Sequence, residues 1–169
     1  MATLRGLSIS AGGIDRLDEL RPLWLALHEH HRRVGALPVV ADDDVSWRRR
    51  RERYRRWLEH HEAFLLIADA DGSGAVGYAL VRLDKDPDDT WPIEGTSAEL
   101  YSLSVAPNAR EKGVGTALLD AVDAELERRG IRALAAAVMV GNDAARRLYQ
   151  RRGLSPGEVY LYRFQPNDP

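Results

Sequence analysis

Residues 103–119 read LSVAPNAREKGVGTALL and contain the clearest structural signals in the chain. Its first part predicts a strand, because Leu103 and Val105 alternate with a polar residue. Pro107 has no N–H to donate to a strand ladder and is expected to end that strand. The next apolar residues recur at helical spacing, at Val114, Ala117, Leu118, Ala121, Val122 and Leu126. The stretch therefore predicts a strand, a short polar loop and an amphipathic helix.

The loop between this strand and helix carries Arg110, Gly113 and Gly115 in the spacing Arg-x-x-Gly-x-Gly. The first N–H groups of a helix lack internal partners, and the helix dipole adds partial positive charge at the same end. Glycines remove the Cβ atoms that would hold a ligand away from those N–H groups. Such a turn can hold a phosphate or pyrophosphate, and Arg110 and Lys112 add charge beside it. A helix that merely begins with glycines is the alternative, but the combination with strand, proline and basic loop favours the anion site.

The segment 110–115, following 103–107, resembles the coenzyme A loop of the GNAT superfamily of N-acetyltransferases. A second set of positions resembles the other acetyl-CoA motif of that family: Asn142 to Ala145, Leu148, Tyr149 and Arg152 to Leu154. The resemblance is close over residues 98–154, whereas the earlier part matches only in the order of its elements. It implies one α/β (α+β) domain over residues 1–169, with a mixed, mostly antiparallel central sheet and helices on both faces.

The resemblance also implies how acetyl-CoA, the cosubstrate, would bind. The pyrophosphate would lie on backbone N–H groups of the loop and first helical turn. The pantetheine arm would pair with the backbone of the strand, which in this family splays from its neighbour at a bulge. The expected contacts are Leu103, Ser104, Val105, Arg110, Glu111, Lys112, Gly113, Val114, Gly115, Thr116, Asn142 and Tyr149, with no metal.

Two residues are candidates for proton transfer during attack of an amine on the thioester. Tyr149 is the candidate acid, because it lies seven residues after Asn142, on the same helical face, and in the family this tyrosine points at the coenzyme A sulfur. Glu99 is the candidate base, at a spacing from Val105 similar to that of the glutamate base in the histone-acetylating branch. The alternatives are a core aromatic for Tyr149, and for Glu99 a surface carboxylate, with solvent taking the proton.

The leading hypothesis is an acyltransferase that moves an acetyl, or another short acyl, group from acetyl-CoA to a primary amine of a small molecule or peptide. The alternative is a catalytically silent coenzyme A-binding sensor or interaction module of the same fold. An acidic loop over residues 84–97, which also holds Trp91, suggests a cationic acceptor, although such a loop can simply be solvated. A homodimer is compatible with the resemblance.

Composition and short motifs argue against several other kinds of partner and chemistry. The chain has 169 residues, a formal net charge of −2 and no cysteine, so nothing favours a nucleic-acid or membrane partner, a disulfide or a thiol nucleophile. We expect a cytoplasmic protein, because the first ten residues lack a signal-peptide core and no apolar run reaches the roughly 18 residues of a membrane span. The five histidines lack the His-Glu-x-x-His spacing of a zinc site. Leu118 breaks the Gly-x-Gly-x-x-Gly fingerprint of a dinucleotide-binding site.

The remaining elements follow from periodicity and turn residues. The expected order of elements is β-α-α-β-β-β-α-β-α-β. The first helix is expected to start late or to kink at Pro22, and Asp42 is expected to cap the second helix. Residues 48–56 are rich in arginine, but seven arginines between positions 42 and 62 face six acids, which favours a solvated, salt-bridged helix face. The expected strands are residues 4–10, 63–70, 75–83, 100–105, 132–140 and 159–164, and a late helix covers residues 142–152.

Overall fold

The structure is a computed structural model that describes residues 6–37, 41–87 and 90–164. Its strands are β1 (Ser8–Gly12), β2 (Ala63–Ala70), β3 (Gly74–Asp84), β4 (Ser97–Val105) and β5 (Leu134–Ala135). Its helices are α1 (Arg21–Val34), α2 (Asp43–Glu59), α3 (Val114–Arg129) and α4 (Asp143–Arg151). Two 3-10 helices, Ile14–Leu20 and Pro107–Ala109, precede α1 and follow β4.

The five strands form one sheet in the order β1-β2-β3-β4-β5, antiparallel throughout except for the parallel pair β4 and β5. Nearly every residue of β2 is buried, because successive side chains point to opposite faces and both faces are covered. Leu65 and Ile67 pack with Trp24 of α1 and the aromatic residues of α2. Leu66 packs on the other face, in the cluster that contains Leu118 of α3. This arrangement confirms the expected mixed, mostly antiparallel sheet with helices on both faces.

The beginnings of α1 and α2 follow the local signals. Pro22 lies in the first turn of α1, where its missing N–H costs no helical hydrogen bond, and the preceding seven residues form the 3-10 helix instead. The Asp42 carboxylate caps α2 by accepting hydrogen bonds from the N–H groups of Asp44 and Val45, at 2.9 and 3.3 Å. The helix expected from position 15 therefore starts late, and the predicted cap of α2 is confirmed.

Two strand predictions in the last third of the chain are wrong. The strand expected over residues 132–140 is only the two-residue β5, and Val140 is 82% exposed. The chain leaves the sheet after β5 and passes the end of α1, where the N–H of Gly141 donates to the carbonyl of Val34 at 3.2 Å. Residues 159–164 form no strand in the described structure, and Leu161 is 92% exposed. An alternating pattern needs a neighbouring strand, and β5 is too short to supply one. Of the strand expected over residues 4–10, Leu4 and Arg5 lie outside the described residues.

A bulge in β4 decides which of its side chains face each layer. Leu80 pairs with Ser102 and Val81 pairs with Leu100, so Tyr101 is an extra residue on β4. Leu100 and Leu103 consequently both pack in the α3 layer. The serines turn to the α1 and α2 layer, where the hydroxyl of Ser104 donates to the carbonyl of Leu23 at 2.8 Å. The bulge implied by the resemblance is therefore present in β4.

Candidate active site

The strand β4 has an open edge. Its ladder with β5 contains only the pairs Ala98 with Leu134 and Glu99 with Ala135. Within residues 6–37, 41–87 and 90–164, no strand continues that pairing alongside residues 100–105 of β4. Backbone groups along this edge are therefore available to an extended ligand, which can pair with them as an added strand would.

The turn before α3 lies against the end of this open edge. Gly113 caps α3 in the left-handed region, with φ of 84°, and an ideal Cβ built on it has no atom within 4 Å. A Cβ on Gly115 would lie 3.8 Å from Cγ2 of Val105, so the first turn of α3 sits beside the end of β4. Glu111 also has a positive φ, of 61°, which helps the loop to bend before the helix. Open space in front of the first N–H groups of a helix is the geometry that binds an anion.

Two basic side chains brace the same loop. Arg110 Nε donates to the carbonyl of Val105 at 3.2 Å, and Lys112 Nζ donates to the carbonyl of Asn108 at 2.8 Å. Neither side chain is paired with a carboxylate in the described part of the chain. Their positive charges therefore remain uncompensated by ion pairs beside the open space at Gly113.

The helix α4 contributes Tyr149 to this region. Asn142 caps the helix, its Oδ1 accepting from the N–H of Ala145 at 3.2 Å. The ring of Tyr149 packs against the α3-side core, in the same cluster as Leu103 and Val105. Burial raises the pKa of the Tyr149 phenol to about 12, so this hydroxyl is a proton donor at neutral pH. No protein hydrogen bond to it is found in the described ranges, which leaves it available to a ligand.

Arg152 ties α4 to the start of α3. Its guanidinium donates to the carbonyl of Thr116 and to the carboxylate of Asp123, both at 3.1 Å, and it also pairs with Asp120. The side chain is only a quarter exposed. One turn of helix separates Arg152 from Tyr149, so this clamp fixes the part of α4 that carries Tyr149 against the first half of α3. Arg152 belongs to the second acetyl-CoA motif, but the sequence did not indicate that its side chain ties α4 to α3.

Glu99 lies apart from the other candidates. Its Oε2 is 3.7 Å from Nη1 of Arg82, on the neighbouring strand β3. Its neighbours Ala98 and Leu100 face α3, so Glu99 points to the α2 layer, whereas Tyr149 packs on the α3 side. Glu99 is four residues, about 13 Å at strand spacing, from Leu103. A proton reaching Glu99 from the open edge would therefore travel through water.

Sequence reasoning missed a cluster of arginines and aromatic rings beside the bulge. The guanidinium carbon of Arg50 lies 3.9 Å from the ring centroid of Trp24, 4.7 Å from that of Tyr101 and 5.7 Å from that of Tyr54. Arg53 donates a hydrogen bond from Nη1 to the hydroxyl of Tyr101. The signal available in the sequence is the spacing, because Tyr54 and Trp57 follow these two arginines by four positions each.

The expectation of a salt-bridged, solvated face for residues 48–56 is therefore only partly confirmed. Arg51 pairs with Asp18 at 2.6 Å, and Arg55 pairs with Glu52 at 2.7 Å and with Glu59 at 2.5 Å. Arg53 is solvated but makes no ion pair in the described residues, and for Arg50 the expectation is wrong, since this half-buried side chain packs between the rings of Trp24 and Tyr101.

The acidic loop before β4 makes contacts of its own. Asp84 pairs with Arg82 at 3.1 Å, and the indole N–H of Trp91 donates to Glu158 at 3.0 Å. Asp88 and Asp89 lie outside the described residues. His28 Nδ1 lies 3.0 Å from an oxygen of Asp43, and no metal-binding group of three His, Asp or Glu side chains occurs where the structure is described. Across that same part of the chain, no helix has the length and apolarity to cross a bilayer.

Two open cavities, of about 480 and 400 Å³, lie elsewhere. Arg129 lines both of them, with Glu125 and Arg128 in the first and Gly130 in the second. These residues belong to the C-terminal end of α3, whereas Gly113 is at the other end, about 24 Å away along a helix of 16 residues. The open edge and turn described above are therefore separate from these cavities.

Comparison with known proteins assigns the chain to a family. A sequence model described as acetyltransferase (GNAT) family matches residues 24–154. The chain therefore belongs to the GNAT family of acetyltransferases.

Similar proteins include the mycothiol acetyltransferase of Propionibacterium freudenreichii subsp. shermanii, 30% identical over 150 residues. The match covers 89% of this chain and 43% of that protein, so the chain spans about two fifths of the length of that relative.

Solved structures show the same fold. A GCN5-related N-acetyltransferase from Ralstonia eutropha JMP134 has a TM-score of 0.75 at 21% identity, covering 94% of this chain and 99% of its own. The aminoglycoside N-acetyltransferase AAC(6')-Iy, solved with CoA, has a TM-score of 0.70 at 22% identity, with 95% of each chain covered. A ribosomal-protein-alanine N-acetyltransferase from Brucella melitensis biovar Abortus 2308 has a TM-score of 0.67 at 20% identity, covering 95% of this chain and all of its own.

Proposed function

We propose that this chain transfers an acetyl group from acetyl-CoA to a primary amine of a small molecule or peptide. Membership of the GNAT family supports the reaction class. The observation that carries the proposal on this chain is the junction of the open β4 edge with the α3 turn. An extended thiol arm and an anionic phosphate group need these two features side by side.

The residues present fit coenzyme A. The backbone N–H groups of residues 111–116 would receive the pyrophosphate, since the space around Gly113 is open and Arg110 and Lys112 add positive charge beside it. The backbone of Leu103, Ser104 and Val105 receives the pantetheine arm, while the Ser104 hydroxyl is already bonded to Leu23 within the protein. Asn142 adds a polar group at the start of α4, and Val114 and Thr116 contribute through their backbone.

When bound, acetyl-CoA supplies a thioester carbon that an amine can attack. The new N–C bond forms as the C–S bond breaks: the nitrogen of the ammonium loses one proton before the attack and a second one to solvent after it, and the sulfur gains one proton. Tyr149, whose phenol stays protonated at neutral pH, gives its proton to the departing sulfur and regains one from solvent. Glu99 takes the ammonium proton, and water carries it there because Glu99 lies four residues from Leu103 along β4.

The first test of this proposal is calorimetric titration of the purified chain with acetyl-CoA and with coenzyme A, followed by a thiol-release assay with a mixture of amines. We expect binding of both compounds and acceptor-dependent thiol release. An absence of binding would contradict the proposal. Binding without release for any amine would instead support the silent coenzyme A-binding module.

A further inference from the structure

The unusual feature beside the open edge is the pair Arg50 and Arg53, one turn apart on α2. Both guanidinium groups meet Tyr101, which lies 4.7 Å from Arg50 and accepts a hydrogen bond from Arg53. The guanidinium carbon of Arg50 also lies 3.9 Å from the ring centroid of Trp24. This second aromatic contact fixes the plane of the guanidinium group. Arg50 is therefore held in one orientation, while Arg53 remains exposed to solvent.

The charges of these two arginines are not balanced. Neither makes an ion pair within the described residues, although Arg51 and Arg55 on the same helix are both paired with acids. The neighbouring His31 supplies no negative charge that could balance the two arginines. The pKa of its imidazole is lowered to about 4 by burial and by the nearby charges of His30 and Arg50. The Arg50–Arg53 pair therefore forms a net positive site next to β4.

This positive site lies close to the proposed acyl-transfer position. Tyr101 is the bulge residue of β4, and Leu103 is two residues further along, about 7 Å at strand spacing. Tyr101 faces the α1 and α2 layer, where its ring packs at 4.7 Å from that of Trp57. An amine at the open edge whose chain extends over the bulge toward the α1 and α2 layer would point its far end at Tyr101 and the two arginines.

We infer that Arg50 and Arg53 bind an anionic group of the acceptor, which is then a small primary amine that carries a carboxylate or a phosphate. The inference rests on the acyltransferase function proposed above and assigns the substrate class of that site. A guanidinium presents a planar fork of donors that matches either anion, and a stacked guanidinium loses little further freedom when it binds. Arg50 supplies the fixed fork and Arg53 the mobile one.

The alternative, a cationic acceptor drawn by the acidic loop, has weaker support in the contacts. Asp84 is already paired with Arg82, and Trp91 is held by Glu158. Positive charge at Arg50 and Arg53 would also repel a second ammonium group.

The test uses matched amines that differ only in charge. Wild-type protein is assayed for acetylation of β-alanine against β-alaninamide, and of phosphoethanolamine against ethanolamine, with putrescine as the cationic probe. We expect at least one anion to exceed its neutral partner by roughly tenfold or more in kcat/KM, and the two pairs separate carboxylate from phosphate. Preference for the neutral or cationic amines, or no turnover of either anion, would overturn the inference.

Three variants assign the effect to the residues. Arg53→Gln should raise KM for the preferred anion by roughly 10- to 100-fold, the loss expected for one charge-assisted hydrogen bond, with little change for its neutral partner. Arg50→Lys, which keeps the charge but loses the planar fork, should give a smaller rise. Arg48→Gln is the matched control, because Arg48 is exposed and about 200° around the helix from Arg50, and it should behave as wild type.

Titrating acetyl-CoA into the same preparations distinguishes a failure of this inference from a failure of the proposed function. Unchanged acetyl-CoA binding with an equal loss for anionic and neutral amines in Arg53→Gln would overturn the inference alone. Loss of acetyl-CoA binding by the wild type would instead refute the proposed function.

Discussion

Replacing Gly113 by glutamate places a carboxylate where the pyrophosphate is expected. No atom lies within 4 Å of the new Cβ, so the side chain has room in front of the α3 N–H groups. A carboxylate about 5 Å from one phosphate charge costs about 3 kcal/mol at an effective dielectric constant near 20. We therefore expect the Kd for acetyl-CoA to rise by about 100-fold or more, measured by calorimetry.

The substitution also has a structural cost that must be separated from this effect. Any side chain at position 113 has to adopt φ of 84°, which costs roughly 1–2 kcal/mol. Gly113→Ala carries that strain without the charge. Gly130→Glu carries both strain and charge at the other end of α3, where φ is 70° and the space is equally open.

All three variants should lose stability in urea unfolding, Gly130→Glu the most because its carboxylate opposes the dipole at the C-terminal end of α3, but only Gly113→Glu should lose acetyl-CoA binding by two orders of magnitude. If Gly113→Glu and Gly113→Ala bind acetyl-CoA within threefold of each other, the charge does not meet the pyrophosphate and the placement of the site is wrong. If Gly130→Glu loses binding equally, the effect is not local to the α3 turn.

Three further predictions concern protons. Tyr149→Phe should lower kcat about 100-fold or more, because the leaving sulfur loses its acid, while the acetyl-CoA Kd in calorimetry changes little. Glu99→Gln should lower kcat/KM about 100-fold at neutral pH, and the deficit should shrink at alkaline pH, where the amine is already neutral, in a pH–rate series. Acidification should destabilise the protein between pH 6.5 and about 4, since burial lowers the pKa of His31 to about 4 while the unfolded chain binds its proton near 6.5. Urea midpoints at pH 7 and 5 measure this slope.

Each of these predictions has its own opposing result. A normal kcat in Tyr149→Phe would make the ring a core aromatic only. A pH-independent loss of less than twofold in Glu99→Gln would leave proton removal to solvent. For the histidine, His31→Gln should flatten the acid slope relative to wild type, and an unchanged slope would place its origin in other groups.

The features that the sequence predicted well are local. The strand, loop and helix over residues 97–129 follow from a proline, two glycines and a change of period, all within one stretch. The Asp42 cap and the hairpin between β2 and β3 likewise depend on neighbouring residues only. Such signals are complete in the sequence because each partner lies within a few positions of the other.

The features that escaped prediction involve distant partners. An apolar run such as residues 133–140 does not specify which strand it pairs with, so its departure from the sheet after Ala135 could not be foreseen. The position of the bulge at Tyr101 is a property of two strands in register. Summing charges over α2 could not show that Arg50 packs on Trp24, which lies on another helix.

Backbone amide shifts in a ¹⁵N-labelled sample titrated with coenzyme A test most directly whether the ligand lies at the junction of β4 and α3. We expect the largest changes at Gly113, Gly115 and Thr116 and along Leu103 to Val105, in one saturable process. Changes confined to the far end of α3, around Gly130, would contradict the placement of the site, and an absence of any change would contradict coenzyme A binding itself.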